Sequence, residues 1–143
     1  MSEYLIRPIY DHRVVELWGV KPQELADGNL LVKTFKSVSQ EIGLEPRKVL
    51  KDEFDPGGFT ILFSLAASHL IVRIPLVIST YPEEIEGRYM HIDAVSCREV
   101  PLDSLKDEIA KRISHQRIEE FKVNYPDYPI ISSPGNCTSV LTP

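Results

Sequence analysis

Two positions in this sequence combine a nucleophile with a neighbour able to alter its reactivity. Ser68 is followed directly by His69, and the pair interrupts the apolar run from Phe59 to Thr80. A serine hydroxyl beside an imidazole is the raw material of nucleophilic catalysis, in which a base takes the hydroxyl proton as the oxygen attacks a carbonyl. Read from the residues alone, the pair equally describes a serine and a histidine at a hairpin turn. Cys97 ends the segment YMHIDAVSC and precedes Arg98. A neighbouring guanidinium favours the thiolate, which suits a thiol that attacks or that carries a proton; a half-buried strand cysteine is the alternative reading. Cys137 stands in a Pro/Gly/Ser-rich stretch and has no such setting. The two cysteines make neither a CxxC nor a zinc spacing, and His12, His91 and His115 lack ligand spacing as well, so no metal site is expected. The acidic run Glu83, Glu84 and Glu86 reads as a solvated loop.

The elements that must position these residues follow from periodicity. HRVVELWGV (12–20) is rich in β-formers and ends at a glycine, which predicts a strand. Asp27-Gly28-Asn29 opens a helix whose apolar stripe is Leu31, Phe35, Val38 and Ile42, with Gly43 as its C-cap. Lys48 to Phe54 reads as a strand closed by the turn signal Asp55-Pro56-Gly57-Gly58. Phe59 to Ala66 is a further strand, continuous enough in apolarity to be buried on both faces or central in the sheet. After the break at Ala67-Ser68-His69, a strand resumes over Leu70 to Thr80, with Pro75 marking a bulge or edge. Pro82 to Arg88 is a loop, and Tyr89 to Cys97 another strand. Asp103 or Ser104 can cap a second helix, with Leu102, Leu105, Ile109 and Ile113 as its buried stripe and Lys111 and Arg112 near its C-terminus. Arg117 to Val123 is the last strand.

The order β-α-β-β-β-β-α-β predicts an α+β fold: a two-layer α/β sandwich with a mainly antiparallel sheet and two helices on one face. Residues 1–124 read as a single domain with 1–11 as an N-terminal arm, and 125–143 as a proline-rich tail. Such a sandwich leaves one sheet face bare, and dimerisation is one way to cover it. The 143 residues, 43% hydrophobic and 26% charged, suit one globular domain. A net charge of −5 and the absence of a basic stripe argue against a nucleic-acid partner. No apolar stretch approaches the ~20 residues of a membrane span. The N-terminus Met1-Ser2-Glu3-Tyr4 lacks the layout of a signal peptide, so the cytoplasm is the expected location.

Three segments resemble the short prokaryotic S-adenosylmethionine decarboxylase proenzymes of polyamine (spermidine) biosynthesis. Val15-Glu16-Leu17-Trp18-Gly19 is similar to the family's "ELYG" first strand. Phe54-Asp55-Pro56-Gly57-Gly58, with the strand running to Leu65-Ala66-Ala67-Ser68-His69, resembles its F-x-P-x-G turn and the strand ending in "ESH". Ile78-Ser79-Thr80-Tyr81-Pro82-Glu83, followed by Tyr89 to Cys97, is similar to "IHTWPE" and "YAAxDxFTC". The resemblance spans residues 12–123.

The resemblance implies a lyase that makes its own electrophile by autocatalytic cleavage. A serine hydroxyl attacks the preceding carbonyl, the resulting ester is eliminated, and a pyruvoyl ketone remains on the new N-terminus as an electron sink for the departing carboxylate. Ser68 takes the place of the pyruvoyl precursor and Cys97 that of the proton-donating cysteine. Phe54 and Glu83 match substrate-binding positions, and the small-molecule ligand implied is S-adenosylmethionine or a related amine or amino acid. A homodimer, or a dimer with a paralogue, is implied as well. The sequence departs from the family at Ala67, where glutamate usually precedes the cleaved serine. The processing histidine aligns with Ser79, or with Arg73 when counted forward from Ser68 without a gap. Neither is a useful base near neutral pH. An insertion also separates His69 from Thr80. Three readings follow: an uncleaved homologue that binds a ligand or regulates a paralogue, an active pyruvoyl decarboxylase of S-adenosylmethionine, arginine or ornithine in which His69 or a residue of the inserted arm replaces the missing histidine, and a structural α/β interaction module.

Overall fold

The computed structural model describes residues 4–5, 9–25, 28–54, 58–66, 68–74, 88–125 and 129–130. Its strands are β1 (Tyr4–Leu5), β2 (Asp11–Val20), β3 (Pro46–Phe54), β4 (Gly58–Leu65), β5 (Ser68–Ile74), β6 (Arg88–Ser96), β7 (Arg117–Lys122) and β8 (Pro129–Ile130). Its helices are α1 (Pro22–Leu25), α2 (Gly28–Glu41) and α3 (Leu105–Arg112). Six strands form one sheet in the order β3-β4-β5-β6-β2-β7, each neighbouring pair antiparallel. β1 and β8 form a separate two-stranded ladder, Tyr4 opposite Ile130 and Leu5 opposite Pro129.

Alternation along each strand divides the sheet into two faces. Val15 and Leu17 of β2, Ile61, Phe63 and Leu65 of β4, Leu70 and Val72 of β5, and Met90 and Ile92 of β6 are buried in one cluster. The stripe expected for α2, Leu31, Phe35, Val38 and Ile42, lies in that cluster, as does the α3 stripe Leu102, Leu105, Ile109 and Ile113. The α+β sandwich is therefore as the pattern of elements implied, with α2 and α3 on one face. Phe35 and Phe63 mark the contact between layers, their ring centroids 6.2 Å apart. Gly43 ends α2 at φ +89°, the left-handed conformation that a C-cap glycine supplies. Gly19 has φ +77° within a register shift between Leu17 and Val20, and a Cβ there would meet the Gln116 side chain at 2.7 Å; the bulge needs glycine.

The opposite face is exposed towards its outer strands, while Val95 is buried and Val14, Ile71 and Asp93 are half-buried. A single cross-strand row crosses all six strands through Leu50, Leu62, Ile71, Asp93, Val14 and Phe121. Leu50, Leu62 and Phe121 are 68%, 38% and 47% exposed. Of the two expectations for the apolar strand before Ser68, burial on both faces or a central place, the second holds: β4 lies between β3 and β5, and from Ile61 to Leu65 only its odd-numbered side chains are buried. Apolarity on both sides of a strand did not distinguish a core face from a bare one.

Other boundaries moved for local reasons. Leu65 pairs with Ser68, so the turn occupies two residues and β5 begins at Ser68 itself, not after a three-residue break. Neither Asp103 nor Ser104 caps α3 through its side chain. Ser104 sits at the N-cap with an αR backbone and no side-chain bond, and the Asp103 carboxylate is taken by Arg13 at 2.6 Å. Four-residue α1 escaped the periodicity argument because it is barely one turn; Pro22 supplies its first residue and Leu25 its buried one. The continuation of the strand from Pro75 to Thr80 lies outside the described residues, as does most of the acidic loop and the tail beyond Ile130.

Candidate active-site end of the sheet

Antiparallel pairing gathers the start of β5, the end of β6, the start of β2 and the end of β7 at one end of the sheet. Ser68 is opposite Ser96, and Ser96 is opposite Asp11 on its other side. Cys97 is the next residue along, half-buried. Ser96, the last residue of β6, is the strand neighbour of Ser68 at ~5 Å, and Cys97 follows it just beyond the strand. The Ser96 carbonyl accepts a hydrogen bond from the Tyr10 amide (2.7 Å), and the Ser96 hydroxyl donates to the Arg98 carbonyl (2.8 Å). These bonds fix the chain on both sides of Cys97.

Ser68 and His69 are not a pair in space. Ser68 follows the core-facing register of Leu70 and Val72, whereas His69 is exposed on the open face between Ser64 and Val95. The Ser68 hydroxyl oxygen is buried and has no hydrogen-bond partner among the described residues. Phe54 ends β3 opposite Gly58, at the far end of the β3–β4 hairpin. Seven residues of strand separate Gly58 from Leu65, the neighbour of Ser68, a span of ~23 Å. The structure therefore places Cys97 one residue beyond Ser96, the strand partner of Ser68, and leaves Phe54 remote within one chain. Ala67, Ser79, Glu83 and Cys137 lie outside the described residues.

Two polar networks grip the first residues of β2. On the core side, buried Arg13 donates from Nε to Asp11 (2.9 Å), from Nη1 to Glu120 (3.0 Å) and from Nη2 to Asp103 (2.6 Å). The second oxygen of Asp11 accepts the Leu102 amide at 2.8 Å, so β2, β7 and the approach to α3 are tied at one point. Burial alone would raise the Asp11 pKa. The hydrogen bonds from Arg13 and the Leu102 amide outweigh it and hold the carboxyl below its ordinary value. Burial also works against the Arg13 charge, and its carboxylate partners more than offset that. A charged residue on the apolar side of HRVVELWGV was the available signal for this cluster; the sequence reading passed over it.

On the open face, His12 Nε2 lies 2.8 Å from Asp93 Oδ1 and its Nδ1 lies 2.5 Å from the Tyr125 hydroxyl. Further along, the Tyr89 hydroxyl donates to Glu16 (2.5 Å) and is 3.2 Å from His91 Nδ1. Burial, then the Glu16 carboxylate, raises the Tyr89 pKa well above the ordinary phenol. The Arg117 guanidinium sits over the Trp18 ring at 4.9 Å. His12, near the start of β2, and His91, within β6, are thus members of sheet-face networks. Among the described residues no group of His, Cys, Asp and Glu could hold a metal ion, and no helix is long and apolar enough to cross a membrane.

The fold and site together define an α+β sandwich with a serine at the mouth of a tight hairpin and a cysteine just beyond the end of the neighbouring strand. The family profile of S-adenosylmethionine decarboxylase matches residues 11–124. A Geobacillus sp. (strain WCH70) protein named S-adenosylmethionine decarboxylase proenzyme is 30% identical over 112 residues, covering 78% of this chain and 83% of its own length. A Bacillus cereus protein named S-adenosylmethionine decarboxylase proenzyme 2 is 34% identical over 86 residues, 60% of this chain and 63% of its own. Among solved structures, the adenosylmethionine decarboxylase of Aquifex aeolicus VF5 shares the fold with a TM-score of 0.59 at 19% identity, covering 79% of this chain and 87% of that one. This chain belongs to the S-adenosylmethionine decarboxylase family.

Proposed function

We propose that this chain is an uncleaved member of its family, a cytoplasmic ligand-binding or regulatory protein of polyamine metabolism. The observation that carries this reading is the Ser68 hydroxyl, buried without a hydrogen-bond partner among the described residues. For that oxygen to attack the carbonyl before it, a base must accept its proton. His69, the sequence neighbour suited to the task, belongs to the other face of the strand. The family's glutamate is replaced by Ala67, and its processing histidine aligns with Ser79 or Arg73. Were a pyruvoyl group formed from Ser68, it would supply an electron sink for a departing carboxylate, and the family resemblance would make Cys97 the residue that returns a proton.

The ligand class follows from the family: S-adenosylmethionine or a related amine or amino acid. The bare sheet face, with Leu50, Leu62 and Phe121 exposed on it, favours a homodimer or a dimer with a paralogue. A part for Phe54 in binding a ligand at the Ser68 end requires such a second copy, because within one chain a strand's length separates them. The place of Cys97, one residue beyond the strand partner of Ser68, favours a second reading, an active pyruvoyl decarboxylase. The intact mass of the purified chain separates the two, since processing would break it between Ala67 and Ser68. Thermal-shift titration with S-adenosylmethionine then tests binding: a rise in Tm supports a ligand-binding protein, and no rise at saturating concentration leaves the interaction module.

A further inference from the structure

β3 and β7 end the six-stranded sheet, and among the described residues neither has a strand paired along its outer edge. An edge strand is a row of backbone donors and acceptors that another strand can take up. Two copies of one strand pair antiparallel about a two-fold axis normal to the sheet. Opposed side chains then share a face only when the axis passes through a residue. Each choice of that residue fixes which side chains oppose one another, and charge decides between the choices: opposite charges across a strand pair favour it and like charges disfavour it.

β7 is set against its own copy. Its sequence is RIEEFK, and an axis through either central residue places Glu119 against Glu119 or Glu120 against Glu120. β3 reads PRKVLKDEF, with Arg47 and Lys48 before Leu50 and Asp52 and Glu53 after it. An axis through Leu50 places Lys48 against Asp52 and Arg47 against Glu53, each of them twice. Of the registers centred on residues 47 to 53, every other one opposes a like pair, such as Arg47 with Lys51 one residue earlier and Lys51 with itself one residue later. The register shift between Pro46 and Lys48, and the pairing of Glu53 with Lys51 at 3.3 Å on the same strand, leave Lys48 and Asp52 as the pair that sets the register. Both lie with Leu50 on the face away from the helices, and all three are exposed. Lysine on an edge ordinarily discourages pairing; here it selects one arrangement. Leu50, 68% exposed, meets its own copy at the axis and extends the apolar row begun by Leu62.

We propose that the outer edge of β3 is a contact for a second copy of this chain, joined antiparallel about Leu50 so that two six-stranded sheets become one continuous sheet. The contact is edge to edge, separate from the sheet face, and independent of whether Ser68 is processed. Sedimentation equilibrium of the full chain tests it. Lys48→Asp places carboxylates against Asp52 twice, and Asp52→Lys places ammonium groups against Lys48 twice. Each is expected to raise the Kd of self-association roughly tenfold. An equimolar mixture of the two variants restores opposite charges at both places, and its Kd is expected to return to that of the unaltered chain. Phe121→Glu, on the far edge of the exposed face, is expected to leave this contact unchanged. A chain that stays monomeric, a Kd indifferent to both charge reversals, or a mixture that associates no better than either variant alone would overturn the proposal. So would association lost in Phe121→Glu and kept in Lys48→Asp, because the second copy would then sit on the sheet face.

Discussion

Ser68 and His69 are consecutive in the chain and belong to opposite faces of the sheet, one in register with buried Leu70 and the other exposed beside Ser64. The relationship follows from the two-residue turn that pairs Leu65 with Ser68: the serine is already a strand residue, and strand neighbours diverge. A Ser-His dipeptide that reads as a nucleophile and its base is therefore no dyad. The buried hydroxyl has no partner among the described residues, which has a direct energetic consequence.

Removing that hydroxyl should not destabilise the protein. A buried polar group without a partner carries its desolvation cost uncompensated, so Ser68→Ala is expected to leave stability unchanged or raise it by ~1 kcal/mol. Urea unfolding of the two proteins measures this. A loss of more than that amount would mean that the hydroxyl makes a stabilising bond.

Arg13 is the opposite case. It satisfies Asp11 and Glu120 within the sheet and Asp103 ahead of α3. Arg13→Ala would leave the Asp11 carboxylate buried without its cation, and breaking a buried pair on one side costs about 3–5 kcal/mol. The cost appears as a lowered urea midpoint. Arg13→Lys should recover only part of it, since an ammonium cannot reproduce the three-way fork.

Stability should fall in acid for the same reason. The Asp11 pKa is lower in the folded state than its ordinary 3.8, so the unfolded chain binds the proton more readily. The contribution is complete above that ordinary value and is lost as pH drops below it through the folded pKa. Asp11→Asn should flatten the stability profile in this acid range, measured by urea midpoints at successive pH values. A profile as steep as that of the unaltered protein would show that Asp11 is not the group responsible.

Tyr89 should be slow to ionise in base. Burial and the Glu16 carboxylate both favour its neutral form, so spectrophotometric titration should show a phenol that ionises at higher pH than an ordinary tyrosine. Tyr89→Phe should delete that late phase, and Glu16→Gln should shift it toward ordinary tyrosine.

Much of the fold was legible because its signals are local. The steps Leu31-Phe35-Val38-Ile42 mark a helix face wherever the helix docks, and all four side chains are in the core. The site was less legible because it is made by register. Nothing in the sequence near Cys97 announces that Ser96 pairs with Ser68 on one side and Asp11 on the other. His12 was unreadable for a related reason: its partners Asp93 and Tyr125 come from another strand and from beyond the last strand of the sheet. Arg13 alone left a trace, as a charge on the buried side of an alternating strand. The apolar face of β4 misled because a bare sheet face and a covered one can share composition; Leu62 looks like core and is 38% exposed.

The central claim is that the chain persists uncleaved at Ala67–Ser68. Intact-mass spectrometry of the purified protein after prolonged incubation at neutral pH measures this most directly. The account predicts one species with the mass of the unbroken polypeptide, 16.3 kDa. Two fragments separating between Ala67 and Ser68, with the larger carrying a pyruvoyl N-terminus, would contradict it and make the chain an active pyruvoyl enzyme.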